Sequence, residues 1–300
     1  MLKKLKKNRL LGIVFFIFLT SLFSDSGAVR AHADDELLIG TGPYYNADKL
    51  RKGFTPIINH LSEKLDKKII FTVTKSYEEL AKKVKKGAID IGFFGPALYV
   101  ELKQIYPKLK YLVTSQSSKG GKKTAYYYSW LISRKDSGIT KVKHLRGKSF
   151  AFTDKYSSSG YVYPLGYFKK RNLVPEDFFA QIIFAGTHEN VTDMIAQKKV
   201  ASGVSYDTNL WNAEEKHGRI FRRIKKIGPI IGPSFAARHQ VDNSTCKQII
   251  FALENLPTEV FNKDLAYTGF QRLSEKNFAA VADLLIPLTT PGKTSPLKSN

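Results

Sequence analysis

The hydrophobic positions along the chain alternate between short continuous runs and stripes of helical spacing. Residues 37–40 form a short apolar run that predicts a β-strand. The next apolar positions recur at intervals of three, four and one, which places them on one face of a helix: Leu50, Phe54, Ile57, Ile58, Leu61 and Leu65. Within this stripe, Thr55 and Pro56 match an N-cap and first-turn pair, so we expect the helix to restart there.

Strands and helices continue to alternate after this first pair. Residues 68–74 are rich in β-branched and aromatic side chains and predict a strand. Residues 77–86 predict a helix that Gly87 ends, and residues 88–94 predict the next strand. This alternation indicates an α/β protein whose sheets are mostly parallel and flanked by helices.

The same pattern begins again near residue 125. We expect strands at 126–133, 148–153, 181–185 and 200–206, and helices through 167–170 and at 187–198. Residues 86–96 also align with residues 197–207, each as a helix end, a strand and a loop. The repetition predicts two similarly built lobes whose equivalent loops face each other across a ligand cleft.

The division into lobes follows from this repeat. Residues 34–124 and 229–286 are expected to form the first lobe, which ends in helices near 247–256 and 275–285. Residues 125–228 are expected to form the second lobe. The segment 287–300 is rich in Pro, Ser, Thr and Lys and predicts a flexible tail.

The first 33 residues have the pattern of a signal peptide. Four Lys and Arg9 precede an apolar run at 10–19, and Ala31-His32-Ala33 provides the small-x-small pattern for cleavage after Ala33. The apolar run is shorter than the ~20 residues that a bilayer span needs. No Cys stands at the cleavage point for lipidation, so we expect a freely diffusing protein of a bacterial periplasm.

Composition narrows the function classes. The 300 residues are 43% hydrophobic with a net charge of +22, and without residues 1–33, which hold six Lys or Arg and one Asp, the charge is +17. Such a composition excludes a disordered, fibrous or disulfide-scaffold protein, and Cys246 has no partner within the chain. The histidines are scattered and no nucleic-acid motif is present, so we expect no metal, no cofactor and no nucleic-acid partner.

The segment Ser157-Ser158-Ser159 follows a predicted strand and precedes a predicted helix. Such a turn offers hydroxyls and unpaired backbone N–H groups at the positive end of the helix dipole, an arrangement that suits a tetrahedral oxyanion. In isolation, the same segment is more typical of a helix N-cap followed by exposed serines.

Two further residues stand at comparable turns. His188 follows Thr187, a candidate N-cap, and could donate a hydrogen bond to a bound anion that would favour its protonated form. Asp207 ends a predicted strand and could accept a hydrogen bond from a protonated ligand oxygen or pair with a ligand amine. A surface histidine and a loop aspartate remain the alternatives.

These motifs together resemble the phosphate, phosphite and phosphonate-type substrate-binding proteins of ABC importers. The resemblance covers roughly residues 37–260 and rests on the order of short motifs: Ser76-Tyr77, Lys86 to Gly92 leading to Gly95-Pro96 and Tyr99, Leu145 to Phe152, Ser157-Ser158-Ser159-Gly160-Tyr161 with Pro164, Ala185 to Glu189, and Gly203 to Asp207. It implies a two-lobed type II periplasmic binding protein fold. It also implies a small phosphorus-oxyanion ligand, ABC permease subunits as partners, and a monomer without catalytic activity.

The resemblance also implies roles for single residues. The serine turn, with Gly160, would hold the oxyanion through hydroxyls and backbone amides, while Tyr77 and His188 complete the grip. Phe94 and Gly95 match a strand end that is often aromatic, and Tyr206 with Asp207 match an acidic loop opposite. Ser76 and Ala201 stand where family members often carry acids, which leaves Asp207 and Glu189 as candidates for a ligand amine.

Aromatic residues near these loops favour a ligand with a P–H or P–C bond over phosphate: Tyr44, Tyr77, Phe94, Tyr161 and Tyr206.

Two other functions remain open on the sequence. A sensory binding protein that signals through a membrane partner would share all of these features. A hydrolase would use Ser158, His188 and Asp207 as a nucleophilic triad, although no G-x-S-x-G elbow surrounds the serine.

Overall fold

The computed structural model describes residues 35–119, 121–261 and 265–285 of the chain. The predicted signal peptide and the predicted tail lie outside the described residues. The described residues form these strands: β1 (Glu36–Thr41), β2 (Lys68–Val73), β3 (Ile91–Phe94), β4 (Lys110–Lys119), β5 (Lys122–Thr124), β6 (Tyr126–Arg134), β7 (Ser149–Phe152), β8 (Gln181–Phe184), β9 (Ser202–Tyr206), β10 (Phe221–Ile231), β11 (Ser234–Ala237) and β12 (Gly269–Gln271). The α-helices are α1 (Ala47–Leu65), α2 (Tyr77–Lys85), α3 (Pro96–Ile105), α4 (Tyr163–Lys169), α5 (Pro175–Phe178), α6 (His188–Ala196), α7 (Asp207–His217), α8 (Asn243–Glu254) and α9 (Ala279–Leu285).

The strands assemble into two sheets within the described ranges. The first sheet has the order β12, β4, β11, β3, β1, β2, with β5 paired to β4, and the second has the order β10, β6, β9, β7, β8. β1 pairs in parallel with β2 and β3, and β7 pairs in parallel with β8 and β9. The other pairings are antiparallel. The sheets are therefore mixed, and the expectation of mostly parallel sheets was wrong.

The antiparallel pairings arise where the chain passes between the sheets. After β4 and β5 the chain enters the second sheet through β6, and it returns from β10 to β11 across only two residues. The outgoing and returning strands lie side by side in each sheet, β4 beside β11 and β6 beside β10, so they must run in opposite directions. The predicted lobe boundary after residue 228 falls inside β10, which continues to Ile231.

Helix α1 shows how tertiary packing overrides a local signal. The helix begins at Ala47, where the Asn46 side chain caps it by accepting a hydrogen bond from the Lys49 N–H, and it runs without interruption to Leu65. Pro56 lies inside this helix, so the predicted restart at Thr55 and Pro56 was wrong. The apolar stripe is buried on both sides of the proline. This burial offsets the loss of the backbone hydrogen bond that proline cannot donate.

The internal repeat seen in the sequence corresponds to a repeated structural unit. Lys86 caps the end of α2 and Gln197 caps the end of α6, which are aligned positions. Gly95 and Tyr206 are likewise the aligned N-caps of α3 and α7. β3 and β9 each lie between one parallel and one antiparallel neighbour. The two sheets therefore present equivalent helix starts at the ends of equivalent strands.

Apolar side chains cover both sheets. Among the described residues the buried ones form four clusters, two around each sheet. In the first, Phe54 of α1 stacks on Phe71 at a ring distance of 4.7 Å, and the free thiol Cys246 is buried in the same cluster. None of the described helices has the length and hydrophobicity required to cross a membrane.

Candidate functional site

A cavity with a volume of about 80 Å³ lies between the two sheets. That volume suits a small ligand rather than a drug-sized one. Segments from both sheets line it: Thr41, Gly42, Tyr44, Tyr77, Leu80, Phe93, Gly95, Leu98, Ser115 to Ser117, Thr124 to Tyr127, Ser157 to Ser159, His188, Tyr206, Thr208, Gly232, Pro233 and Leu265 to Tyr267.

Five helical starts converge on this cavity. Tyr77 and His188 are the first residues of α2 and α6, and Gly95 and Tyr206 are the N-caps of α3 and α7. Ser157 is the N-cap of a π-helical turn, Ser158–Val162, that leads into α4. The first N–H groups of a helix have no partner within it and carry partial positive charge, so these helix starts favour an anion in the cavity.

The serine turn is buried and internally bonded. Ser157 Oγ accepts a hydrogen bond from the Gly160 N–H at 3.1 Å, and the three serines expose only 2–3% of their surface. Ser158 Oγ accepts a hydrogen bond from the Ala97 N–H of α3 at 2.9 Å. The turn therefore belongs to the second sheet but binds directly to a helix of the first. These serines are not the exposed residues of an ordinary N-cap.

His188 lies among three hydroxyl groups. Its Nδ1 is 3.2 Å from Thr153 Oγ1, and its Nε2 is 3.3 Å from Ser157 Oγ and 3.4 Å from Ser159 Oγ. Burial lowers the pKa of His188 from 6.5 to about 3, because the charged imidazolium would lose its hydration. The imidazole is therefore neutral near pH 7 in this structure, with one N–H to donate.

Tyrosine hydroxyls complete the polar lining. The Tyr77 hydroxyl lies near the Ser157 side chain, and burial raises the pKa of Tyr77 well above its usual value. The Tyr127 hydroxyl lies near the Ser159 side chain, and burial raises the pKa of Tyr127 as well. On the opposite side, Tyr267 donates a hydrogen bond to the Tyr44 hydroxyl at 3.2 Å. All of these phenols stay protonated at neutral pH and can donate hydrogen bonds.

The described lining of the cavity combines apolar surface with polar groups that carry no charge at neutral pH. None of the described residues that line it is Lys, Arg, Asp or Glu. Among the described residues, the groups that can bind an anion in this cavity are hydroxyls, the Gln116 amide, the His188 imidazole and backbone N–H groups.

The structure brings most of the predicted site residues to the cavity. Seven of the ten line it: Tyr77, Gly95, Ser157, Ser158, Ser159, His188 and Tyr206. Phe94 does not, because its ring packs in the apolar cluster beneath α2 and α3, whereas the neighbouring Phe93 lines the cavity. Tyr161 is also remote from the lining, since it packs on Phe152 at a ring distance of 5.1 Å.

Gly160 and Asp207 have roles different from those expected. A Cβ on Gly160 would lie 2.3 Å from Thr153 Oγ1, so glycine is required for the turn to pack on β7's end. The Asp207 carboxylate accepts hydrogen bonds from Trp130 Nε1 at 2.7 Å and from the Tyr128 N–H at 3.2 Å. Asp207 does not line the cavity, so the prediction that it faces a ligand there is corrected.

The hydrolase triad is not assembled. His188 Nε2 lies near Ser157 and Ser159, whereas the Ser158 hydroxyl oxygen accepts from Ala97. The Asp207 carboxylate bonds to Trp130 and not to the imidazole. Nucleophile, base and orienting acid would have to contact one another for this chemistry.

Several lining residues were missed by the sequence reasoning. Ser115, Gln116 and Ser117 lie on β4, and Tyr267 lies in the loop before β12. No motif marks them, because β4 was not revealed by sequence periodicity and Tyr267 lies in a loop. The Ser-x-Ser pattern of β4 is the one local signal that could have suggested a polar face.

The two lobes are in contact around the cavity. Glu189 of α6 accepts hydrogen bonds from Asn46 Nδ2 at 2.8 Å and from the Asn46 N–H at 3.3 Å. Asn212 of α7 donates to the Tyr45 hydroxyl at 3.3 Å. With the bond between Ala97 and Ser158, these contacts link the two lobes. Among the described residues, no three His, Cys, Asp or Glu side chains lie close enough together to hold a metal ion.

A two-sheet α/β architecture with an oxyanion-type cavity between the sheets defines a type II periplasmic binding protein. The family model for the periplasmic substrate-binding proteins of phosphonate ABC transporters matches residues 39–278. The chain belongs to this family, which consists of substrate-binding transport proteins, and the expected fold class is confirmed.

Individual relatives agree with this assignment. The chain is 26% identical over 212 residues to the phosphate-import protein PhnD of Mycolicibacterium smegmatis, covering 62% of this chain and 65% of that protein, just under two thirds. It is 25% identical over 293 residues to the phosphonates-binding periplasmic protein of Escherichia coli, covering 92% and 82%. The binding component of a phosphonate ABC transporter from Pseudomonas aeruginosa has the same fold, with a TM-score of 0.76 at 19% identity, covering 84% of this chain and 85% of that one.

Proposed function

We propose that this protein is the solute-binding component of an ABC importer and captures a small phosphorus oxyanion between its lobes. The observation that carries the proposal is the buried turn Ser157 to Ser159 with His188, placed where five helical starts converge. Hydroxyls and helix N-termini are typical ligands of tetrahedral oxyanions. The candidates are a phosphonate, phosphite or phosphate.

The donors are neutral and fixed before the ligand arrives. The Ser157 and Ser159 hydroxyls, the His188 imidazole and the Tyr77 hydroxyl can each turn a proton toward a phosphoryl oxygen. Since the site is buried, each hydrogen bond to a charged oxygen is stronger than it would be in water. Apolar and aromatic lining residues, Phe93 and Leu98 among them, favour a P–H or P–C group over a fourth oxygen.

Closure links binding to transport in this proposal. One lobe would comprise residues 35–124 and 232–285 and the other residues 125–231, with a hinge at the segments between the sheets. A ligand that contacts both lobes shifts the population toward the closed form, which the membrane permease would recognise. The signal peptide would direct export to the periplasm and be cleaved after Ala33. The mature protein would act as a monomer without catalytic activity.

Titration calorimetry on residues 34–300 tests the proposal with phosphate, phosphite, methylphosphonate and 2-aminoethylphosphonate. We expect submicromolar binding of at least one. Ser157→Ala and His188→Ala should each weaken it by about 10-fold or more, since each removes a charge-assisted hydrogen bond. Ser244→Ala, on the exposed start of α8, is the matched control and should leave affinity unchanged.

Two results would count against the proposal. Absence of heat for all four ligands, in protein shown to be folded by circular dichroism, would exclude a small phosphorus oxyanion. Unchanged affinity in both site variants would place the binding site elsewhere.

A further inference from the structure

One side of the second sheet carries a surface that we call the basic face: residues 141–148 and 169–177 with Lys155, Phe184 and Lys225. These segments cover an apolar cluster that contains Phe150 and Phe152 of β7. The basic face holds nine exposed Lys or Arg side chains against two exposed acids, Glu176 and Asp177, which is a net charge of +7. The positive charge of the chain is therefore concentrated here on one surface of the second lobe.

Three cations of the basic face lie over aromatic rings. The Arg146 guanidinium is 4.8 Å from the centroid of the Phe178 ring. Arg171 and Lys225 both lie over the ring of Tyr167, at 3.9 and 5.8 Å. None of these three cations forms an ion pair with a carboxylate of the described residues. A ring holds a cation in place without neutralising it, so these charges stay available to an anionic partner.

Exposed apolar side chains lie among these cations. Val174 is 52% exposed, and its carbonyl accepts a hydrogen bond from the N–H of Phe178, the residue whose ring lies under Arg146. Phe184 is 42% exposed, and the Lys155 ammonium lies 5.6 Å from its ring centroid. The basic face therefore combines positive charge with apolar side chains that water covers poorly. This combination is typical of surfaces that bind the interfacial region of a membrane.

The basic face extends across the whole width of the second sheet. Lys225 is in register with Leu131, and Phe184 is in register with Phe152, so both point to the side that the apolar cluster occupies. They stand on β10 and β8, the two edges of the sheet, which four strand spacings or about 19 Å separate. A single small anion cannot contact charges spread over this distance. A bilayer offers anionic headgroups over such an area and an apolar layer directly below them.

We propose that the basic face binds the surface of a bilayer that contains anionic phospholipids. Lys and Arg side chains contact the lipid phosphates, while Val174 and Phe184 enter the boundary between headgroups and acyl chains. None of the residues of the basic face lines the oxyanion cavity, so this inference is independent of the ligand that the cavity holds. A carrier held at the membrane surface would search for its permease in two dimensions instead of three.

Vesicle sedimentation tests the inference on residues 34–300, which lack the apolar segment of the predicted signal peptide. Vesicles of phosphatidylcholine alone are compared with vesicles that contain about 30% phosphatidylglycerol. We expect the partition coefficient to be about 10-fold or more higher on the anionic vesicles, since the headgroups attract the basic face. This difference should disappear at about 500 mM salt, where the attraction is screened.

Two triple variants that remove the same charge separate the basic face from net charge. Arg146→Gln, Arg171→Gln and Lys225→Gln together should reduce binding to the anionic vesicles by about 10-fold. Lys85→Gln, Lys108→Gln and Lys247→Gln remove three exposed charges from the first lobe and should reduce it by less than about 3-fold. Both variants should keep the circular dichroism spectrum and the thermal midpoint of the wild type, because all six side chains are exposed.

Three results would overturn the inference. Binding that is no stronger on anionic than on neutral vesicles would exclude recognition of anionic lipid. An equal loss in both triple variants would assign binding to net charge and not to the basic face. If soluble polyglutamate binds the basic face as tightly as the anionic vesicles do, the surface recognises an acidic protein instead of a bilayer. None of these results depends on whether the cavity binds a phosphorus oxyanion.

Discussion

At the scale of single residues, His188 is unusual because it is a histidine without charge in a site built for an anion. Its ring is 2% exposed and lies among the hydroxyls of Thr153, Ser157 and Ser159. Burial disfavours the imidazolium more than these neutral hydroxyls can stabilise it. In these surroundings His188 is a neutral imidazole that can both donate and accept a hydrogen bond.

The lowered pKa of His188 predicts a specific loss of stability in acid. The pKa is about 3 in the folded protein and 6.5 in the unfolded chain, so between these values the unfolded state binds the extra proton. The contribution to the free energy of unfolding is complete above pH 6.5 and decreases as the pH falls toward 3. At pH 5 it should be lower by about 2 kcal/mol than at pH 7.

Denaturant unfolding of the wild type and His188→Gln at pH 7 and pH 5 measures this effect. The free energy of unfolding should decrease between pH 7 and pH 5 by about 2 kcal/mol less in the variant than in the wild type, because the other titrating groups are common to both proteins. Equal decreases would show that His188 can be protonated in the folded protein.

At the scale of elements, the N-terminus of α1 has two functions. Asn46 Oδ1 caps the helix by accepting from the Lys49 N–H, while Asn46 Nδ2 and N–H donate to Glu189 at the start of α6. A helix start from one lobe is thus bonded to a helix start from the other. The contact would be broken if the two lobes moved apart.

Glu189→Ala should therefore weaken ligand binding by about 3- to 10-fold, the value of one or two exposed hydrogen bonds to a carboxylate. Its free energy of unfolding should change by less than about 0.5 kcal/mol, since the contact is exposed and does not support a core. Calorimetry gives the affinity and small-angle scattering gives the fraction of closed protein.

Glu215 lies with Glu189, Lys49 and Asn212 in a surface groove beside this contact. Glu215→Ala therefore removes another acid from the groove and serves as the control. If both variants bind ligand as tightly as the wild type, the contact between Asn46 and Glu189 does not contribute to closure.

At the scale of the whole molecule, the positive charge is separated from the binding cavity. The chain carries +22 in total, yet no Lys or Arg is among the described residues that line the cavity. The basic side chains of the described residues can therefore act on an anion over distance, without lining the cavity. Long-range attraction raises the encounter rate and is screened by salt over a Debye length of about 8 Å at physiological ionic strength.

We accordingly expect the association rate of an anionic ligand to fall several-fold between 20 and 200 mM salt, while the dissociation rate changes by less than about 2-fold. Stopped-flow measurement of tyrosine and tryptophan fluorescence provides both rates. A dissociation rate that rises in parallel with salt would instead indicate a charged side chain in contact with the bound ligand.

The sequence by itself determined the local structure and the family. Periodicity located most of the strands and helices, and the aligned segments 86–96 and 197–207 correspond to equivalent helix ends, strands and N-caps. The serine turn and His188 were identified because strand-to-helix turns are contiguous in the chain. Such features depend on neighbouring residues only.

The tertiary structure alone decided which side chains face the cavity. Phe93 and Phe94 are both buried, because β3 is covered on both faces. Such a strand lacks the polar alternation that would show which side chains face the cavity. A shift of one residue would exchange the two faces. Asp207 turns to Trp130, and β4 contributes Ser115 to Ser117, through pairings with distant segments. Contacts between remote parts of the chain are not encoded in any local pattern, so only the folded molecule specifies them.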